Sequence, residues 1–295
     1  MTDIVIKYKR IIAILSGLIV CLVISNYYLY NKLNIQKNDS LDMIELDNEL
    51  AIEDKAIIDE ADKNIMGSIV LIIDDFGYRN DSVSDGFLNL NVPITCAIIP
   101  GHSQSRKFAE KASAVGKEVI IHMPMESNIN TKGEDEYKIR TGMTSEEIEW
   151  RVGEVLKDIP EAVGMNNHQG SRATADGKVM SVVASVLKRN DKYFIDSRTT
   201  GTTVAEKIMR EIGVPTARRH VFLDNDDSID KIAEQLNELV TLSRTQGVAI
   251  AIGHAKSNTL KVLKDAIPQL VNCLLYTSPS PRDATLSGLP AWGWK

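Results

Sequence analysis

The chain has 295 residues, 43% of them hydrophobic and 25% charged, which excludes a disordered or collagen-like polymer and leaves enough apolar material for a sizeable core. Its 34 basic and 40 acidic side chains give a net charge of −6, with no basic cluster beyond the first ten residues, so nucleic acid is not expected as a partner. Three widely spaced cysteines, Cys21, Cys96 and Cys273, form neither a thiolate zinc motif nor a disulfide framework.

At the N-terminus, Lys7, Lys9 and Arg10 precede the uncharged run Ile11–Ser25, and Tyr27, Tyr28 and Tyr30 follow it. A helix from Ile11 to Tyr30, rising about 1.5 Å per residue, would just cross a bilayer core. The basic flank favours a cytoplasmic N-terminus and the tyrosines suit the far interface. Residues 1–31 are therefore expected to be an uncleaved transmembrane signal-anchor, placing the rest of the chain outside the cytoplasm at the cell membrane. The apolar run proper is short enough for a cleaved signal peptide and secretion, the alternative reading. Residues 32–66 are acidic, with ten carboxylates against the single Lys55 between Asp39 and Asp62, and read as a solvated spacer.

From residue 67 short apolar runs alternate with helical patterns. The runs are Ile69–Ile73, Ile94–Ile99, Val119–Ile121, Val163–Met165, Tyr193–Ile195, Val221–Leu223 and Val248–Ile252. Continuous rather than alternating apolarity is the mark of strands buried on both faces. Thr144-Ser-Glu-Glu147 is a capping-box signature before a helix with Ile148, Val152, Val155, Leu156 and Ile159 on one face. Ser228 opens another helical pattern that Gly247 stops. Seven strand–helix units predict an α/β domain over 67–272, and the count fits a parallel (β/α) barrel of about seven strands better than a three-layer sheet, though periodicity alone does not decide between them. Residues 273–295 carry no strand or helix period. The stretch LLYTSPSPRD within them resembles translated sequencing-adaptor DNA, so this tail is expected to be foreign to the domain.

In parallel α/β folds the reactive groups gather at the carboxyl ends of strands. Here those ends run into Asp74-Asp75, His102, His122 with Glu126, Asn166-Asn167-His168, Asp196-Ser197-Arg198, Asp224 and His254. Four of the five histidines follow a strand; His220 precedes one and belongs to the opposite, structural face. Adjacent aspartates cannot both ionise at close range without a cation or an arginine between them. Carboxylate and imidazole without thiolate suit Zn²⁺ first, with Mn²⁺, Co²⁺ or Fe²⁺ also possible. Phe76, Met123 and Met125 read as packing residues.

Five ordered stretches then carry a resemblance: Val70–Gly77 (VLIIDDFG), Gly116–Glu126 (GKEVIIHMPME), Gly164–Ser171 (GMNNHQGS), Phe194–Thr199 (FIDSRT) and Ile250–His254 (IAIGH). Together they resemble the divergent polysaccharide deacetylase family. The resemblance implies a deformed (β/α) barrel and metal-dependent N- or O-deacetylation of an acetylated polysaccharide, here a cell-wall or other envelope glycan. It implies Asp74 as general base, Asp75 and His122 as metal ligands, and His254 as general acid. Where the wider superfamily has a second histidine four residues after the first, this chain has Glu126. His168 is therefore expected as the replacement ligand, with Glu126 the competitor, and Asp196 or Arg198 as supports that orient the base and acid. Two other readings stay open from the sequence: a glycan-binding protein that keeps the pocket without turnover, and a structural interaction module.

Overall fold

The computed structural model describes residues 67–129, 134–272 and 275–277. The expected membrane segment, the acidic spacer and most of the tail lie outside the described residues. Among the described residues no helix is long and apolar enough to cross a membrane.

The domain is an α/β fold built on one parallel sheet. In chain order its elements are β1 (Gly67–Phe76), α1 (Ser82–Leu88), β2 (Thr95–Ile98), α2 (Ser105–Ala114), β3 (Glu118–Met125), α3 (Ser145–Asp158), β4 (Gly164–Gln169), α4 (Gly177–Arg189), β5 (Tyr193–Asp196), α5 (Ala205–Ile212), β6 (Thr216–Arg218), β7 (Val221–Phe222), α6 (Ile229–Gln246), β8 (Val248–His254), α7 (Ser257–Asn272) and β9 (Leu275–Thr277). The strand order is β6-β5-β4-β3-β2-β1-β8-β7, with β9 paired to the start of β1. All ladders between these strands are parallel.

The sheet curls as a barrel does but has two ends, β6 and β7. The chain itself spans the gap between them. Arg219 N–H bonds Asp196 O on one side at 2.9 Å, and His220 N–H bonds Ile250 O on the other at 2.9 Å. His220 Nδ1 also accepts the Ile250 N–H at 3.0 Å, so its ring replaces a ladder carbonyl. That is the structural role expected of it, and burial pushes its pKa below the ordinary histidine value.

Both faces of the sheet are apolar, which is why the strand sequences are continuous rather than alternating. Ile69, Leu71 and Ile73 pack outward into the large core shared with the helices, against residues such as Phe87, Phe108 and Leu263. Val70, Ile72, Ala97, Ile120, Ile195, Ile250 and Ile252 form a smaller cluster contributed by strands alone, the filling of the curled sheet's interior. Phe76, Met123 and Met125 are buried in the outer core, as packing residues should be. Phe76 stacks on Phe108 with centroids 4.3 Å apart and meets Phe87 edge-on at 5.8 Å.

The capping box is present. Glu147 N–H donates to Thr144 Oγ1 at 3.2 Å, and Thr144 N–H donates to the Glu147 carboxylate at 2.7 Å. Thr144→Ala removes one side of it and is expected to cost about 1 kcal/mol, or about 2–4 °C in Tm for a domain of this size, measured by thermal melts.

Three sequence expectations need correction. Among the described residues the strands number nine rather than about seven, because Thr216–Arg218 has no apolar run and Leu275–Thr277 falls in the stretch read as tail. Leu275–Thr277, expected to carry no strand, pairs in parallel with Gly67–Ile69. Finally, several of the polar residues taken to follow the strands lie within them: Asp74 and Asp75 in β1, His122 in β3, Asn166 to His168 in β4, and His254 in β8. Backbone pairing continues through them, so the register of the ladders decides which of them meet.

Candidate active site

Side chains along a strand alternate between faces. On β1 the interior positions are Val70 and Ile72, so the next is Asp74. On β3, Ile120 is followed by His122; on β8, Ile250 and Ile252 by His254. The candidate site is thus the top layer of the interior, where the apolar filling gives way to polar groups. Register then sets the neighbours: Asp74 lies opposite His254, His122 opposite Asn166, and Pro124 opposite His168.

Asp75 breaks the alternation, since a regular strand would turn it away from Asp74. Between the pairs Ile73–Cys96 and Phe76–Ile98, β1 carries one residue more than β2, which is a β-bulge. Asp75 sits in this bulge with φ of +68°, a left-handed conformation uncommon outside glycine that marks local strain. The bulge turns the second carboxylate into the same pocket as the first.

Asp75, His122 and His168 form the group able to hold a metal ion among the described residues. Asp75 Oδ1 lies 3.5 Å from His122 Nε2 and 3.4 Å from His168 Nδ1, and the two ring nitrogens are 3.0 Å apart. A tetrahedral zinc with bonds of about 2.0–2.1 Å needs ligand separations of about 3.3–3.4 Å, close to this triangle. Asp75 Oδ1 is buried and accepts no hydrogen bond. A charged oxygen so placed is costly without a partner, and a cation at the centre of the triangle would supply one. The residues present therefore fit a divalent ion.

Asn166 ties this group to Asp74. Its amide donates to Asp74 Oδ1 at 2.8 Å, which leaves its carbonyl to accept from His122 Nδ1–H at 2.7 Å. His122 Nε2 consequently presents its lone pair to Asp75 and His168. Burial drives the His122 pKa down to about 3, so the ring is neutral, as a ligand must be. Burial also pushes Asp74 up to about 7. Burial alone would raise Asp75 as well, but the neighbouring rings of His168 and His254 hold it well below the usual carboxylate range. The two adjacent aspartates thus differ in proton affinity, the separation that distinguishes a base from a ligand.

His254 is held by Asp224. Its Nδ1 lies 2.8 Å from Asp224 Oδ1, and its backbone N–H donates to Oδ2 at 2.8 Å, where Thr259 Oγ1 also donates at 2.6 Å. Burial opposes charge on His254, yet the bond to Asp224 and the field of Asp75 raise its pKa above the ordinary histidine value. Its Nε2 lies 3.9 Å from Asp75 Oδ2.

Three expected site residues fall elsewhere. Glu126 is in a separate cluster: its Oε2 accepts Thr141 N–H and Oγ1, each at 2.7 Å, and its Oε1 lies 3.3 Å from Arg172. Four residues along a helix bring side chains together, but four along an extended strand separate them by about 13 Å, and β3 continues to Met125. Asp196 follows the inward-facing Ile195 and so turns away from the pocket. It accepts Arg198 N–H and Thr203 Oγ1, both at 2.8 Å. Arg198, at φ of +49°, belongs to the turn that Asp196 ties together rather than to the Asp74–His254 pair. Asp74 and His254 are instead held by Asn166 and Asp224, which continue the inward series of β4 and of Phe222. Counting strand faces from the apolar runs was the signal that could have found them.

The sequence of residues 71–275 matches the model of the divergent polysaccharide deacetylases. The chain belongs to this family. Among curated proteins it is 36% identical to an uncharacterised protein of Haemophilus influenzae over 202 residues, 68% of this chain and 71% of that one. It is 35% identical to the uncharacterised protein YibQ of Escherichia coli over 206 residues, 70% of this chain and 64% of that one. Among solved structures, an uncharacterised protein of Agrobacterium tumefaciens superposes with a TM-score of 0.68 at 14% identity, covering 76% of this chain and 94% of the other. That last likeness is one of fold.

Proposed function

We propose that this member of the family is a metal-dependent deacetylase of an envelope polysaccharide. The observation that carries the reading is the unsatisfied Asp75 oxygen in a triangle with His122 and His168, flanked by Asp74 and by an Asp224-held His254. Asp75, His122 and His168 would hold the ion, with zinc favoured by two imidazoles and one carboxylate. When bound, the ion supplies Lewis acidity, which makes water more acidic and polarises an acyl carbonyl. Asp74, fixed through Oδ1 by Asn166, takes the water's proton on Oδ2 as general base. His254, protonated on Nε2 and oriented through Nδ1, returns a proton to the departing sugar amine or alkoxide. The expected N-terminal anchor would put this chemistry outside the cytoplasm, where acetylated glycans are the substrate at hand.

The test is metal content of the purified full chain followed by acetate release from acetylated glycans. One equivalent of metal, acetate release that stops on chelation, and recovery on adding zinc are the expected results. A protein that neither carries nor takes up stoichiometric metal would overturn the reading.

Asp224→Asn separates the support from the ligands. It should keep the metal and slow acetate release by about 10–100-fold, less than full loss of a general acid. Since Asp224 raises the His254 pKa and the acid must be protonated to act, the alkaline limb of the pH–rate profile should move to lower pH. An unmoved limb would remove Asp224 from this role.

A further inference from the structure

A second polar cavity lies beyond the metal triangle. It is a half-open space of about 200 Å³ whose lining includes Glu126, Ser127, Asn128, Lys138, Arg140 and Arg172. In a chain of net charge −6, three cations and one carboxylate converge on this small space. That carboxylate is already engaged, with Oε2 held by Thr141 and Oε1 facing Arg172. The other acidic neighbour, Asp135, pairs with Arg140 at 2.5 Å and approaches Lys138 at 3.9 Å, but its side chain is 69% exposed and is not part of the lining. The Lys138 side chain, by contrast, keeps only 4% exposure. Counting Asp135 with Glu126, three cations stand against two carboxylates, a net excess of one positive charge, and two of the cations are arginines, whose planar forks match carboxylate and phosphate oxygens.

The cavity's position relates it to the reaction centre. Glu126 follows directly on β3 and lies about 13 Å along the strand direction from His122, while Arg172 follows β4 four residues after His168. A polymer with one sugar at the metal triangle would bring a nearby ring of the same chain to this cavity.

We infer that the cavity is a subsite for an anionic substituent, a carboxylate or a phosphate, on a sugar near the one being deacetylated. The inference rests on the proposed deacetylase function and narrows its substrate to an acidic polysaccharide. Lys138 supplies a sheltered charge at the wall, and Arg140 and Arg172 clasp the oxygens from the more open side.

The experiment measures calorimetric binding of glucuronate, glucose 6-phosphate and glucose to the purified full chain at low ionic strength, with and without chelator. At least one acidic sugar should bind about tenfold or more tightly than glucose, and the preference should shrink with added salt. Glucuronate as the stronger ligand assigns a uronic-acid polymer; glucose 6-phosphate assigns a phosphate-bearing one. The preference should survive chelation and vanish in Arg140→Gln/Arg172→Gln. The single Arg172→Gln, at a side chain 58% exposed, weakens it without burdening the fold. Equal binding of all three sugars, or an acidic preference that persists in the double variant or disappears with the metal, would overturn the inference. None of these readings uses turnover, so a protein that releases no acetate can still pass this test, and a working deacetylase can still fail it.

Discussion

Asp74→Asn is expected to lower acetate release by about 10²–10⁴-fold, the usual worth of a general base, while the protein keeps its metal. The substitution preserves size, and the new amide can still present an oxygen to the Asn166 donor that now bonds Asp74 Oδ1 at 2.8 Å. The proton acceptor is lost, and the triangle of Asp75, His122 and His168 does not include this residue. Acetate release and elemental analysis on the same preparation make the comparison. Loss of metal in Asp74→Asn would make Asp74 a ligand and leave the base unassigned.

The opposite pattern is expected at the triangle. Asp75→Asn, His122→Ala and His168→Ala should each weaken metal binding by more than the 10–100-fold typical of changes around a ligand, and acetate release should fall with it. Asp75→Asn is the cleanest of the three, because asparagine tolerates the left-handed conformation that Asp75 adopts. Glu126→Gln should keep full metal occupancy, since the Glu126 carboxylate is bound by Thr141 and Arg172. Metal lost in Glu126→Gln and retained in His168→Ala would exchange the two residues' roles.

Much of this arrangement was legible in the sequence because the sheet is buried on both faces. Continuous apolar runs located seven of the nine described strands, and the polar residues toward their ends pointed to the candidate site. Thr144 and Glu147 announced a helix start through a local pattern that needs no tertiary information. What stayed hidden depended on register and strand parity. The choice between His168 and Glu126 turns on β3 remaining extended past His122 and on Pro124 lying opposite His168, a pairing between segments more than forty residues apart. Asp196 looked equivalent to the other strand-end acids, yet one step of alternation turns it outward. Asp75 is the reverse case: alternation would exclude it, and a bulge visible only in the β1–β2 ladder brings it in. The strand Thr216–Arg218 is too short and too polar to stand out from a loop.

The link through Arg219 and His220 also bears on how the domain behaves at high concentration. A sheet that curls without closing has two edges, and an edge strand is a template on which another molecule's strand can grow. Here one edge is three residues long and the other two, and residues 219 and 220, which join them, continue the ladders onto β5 and β8. Little unpaired backbone is left for a foreign strand to grip. Lengthening this connection would free both edges together, and self-association seen by light scattering is where that change would show first.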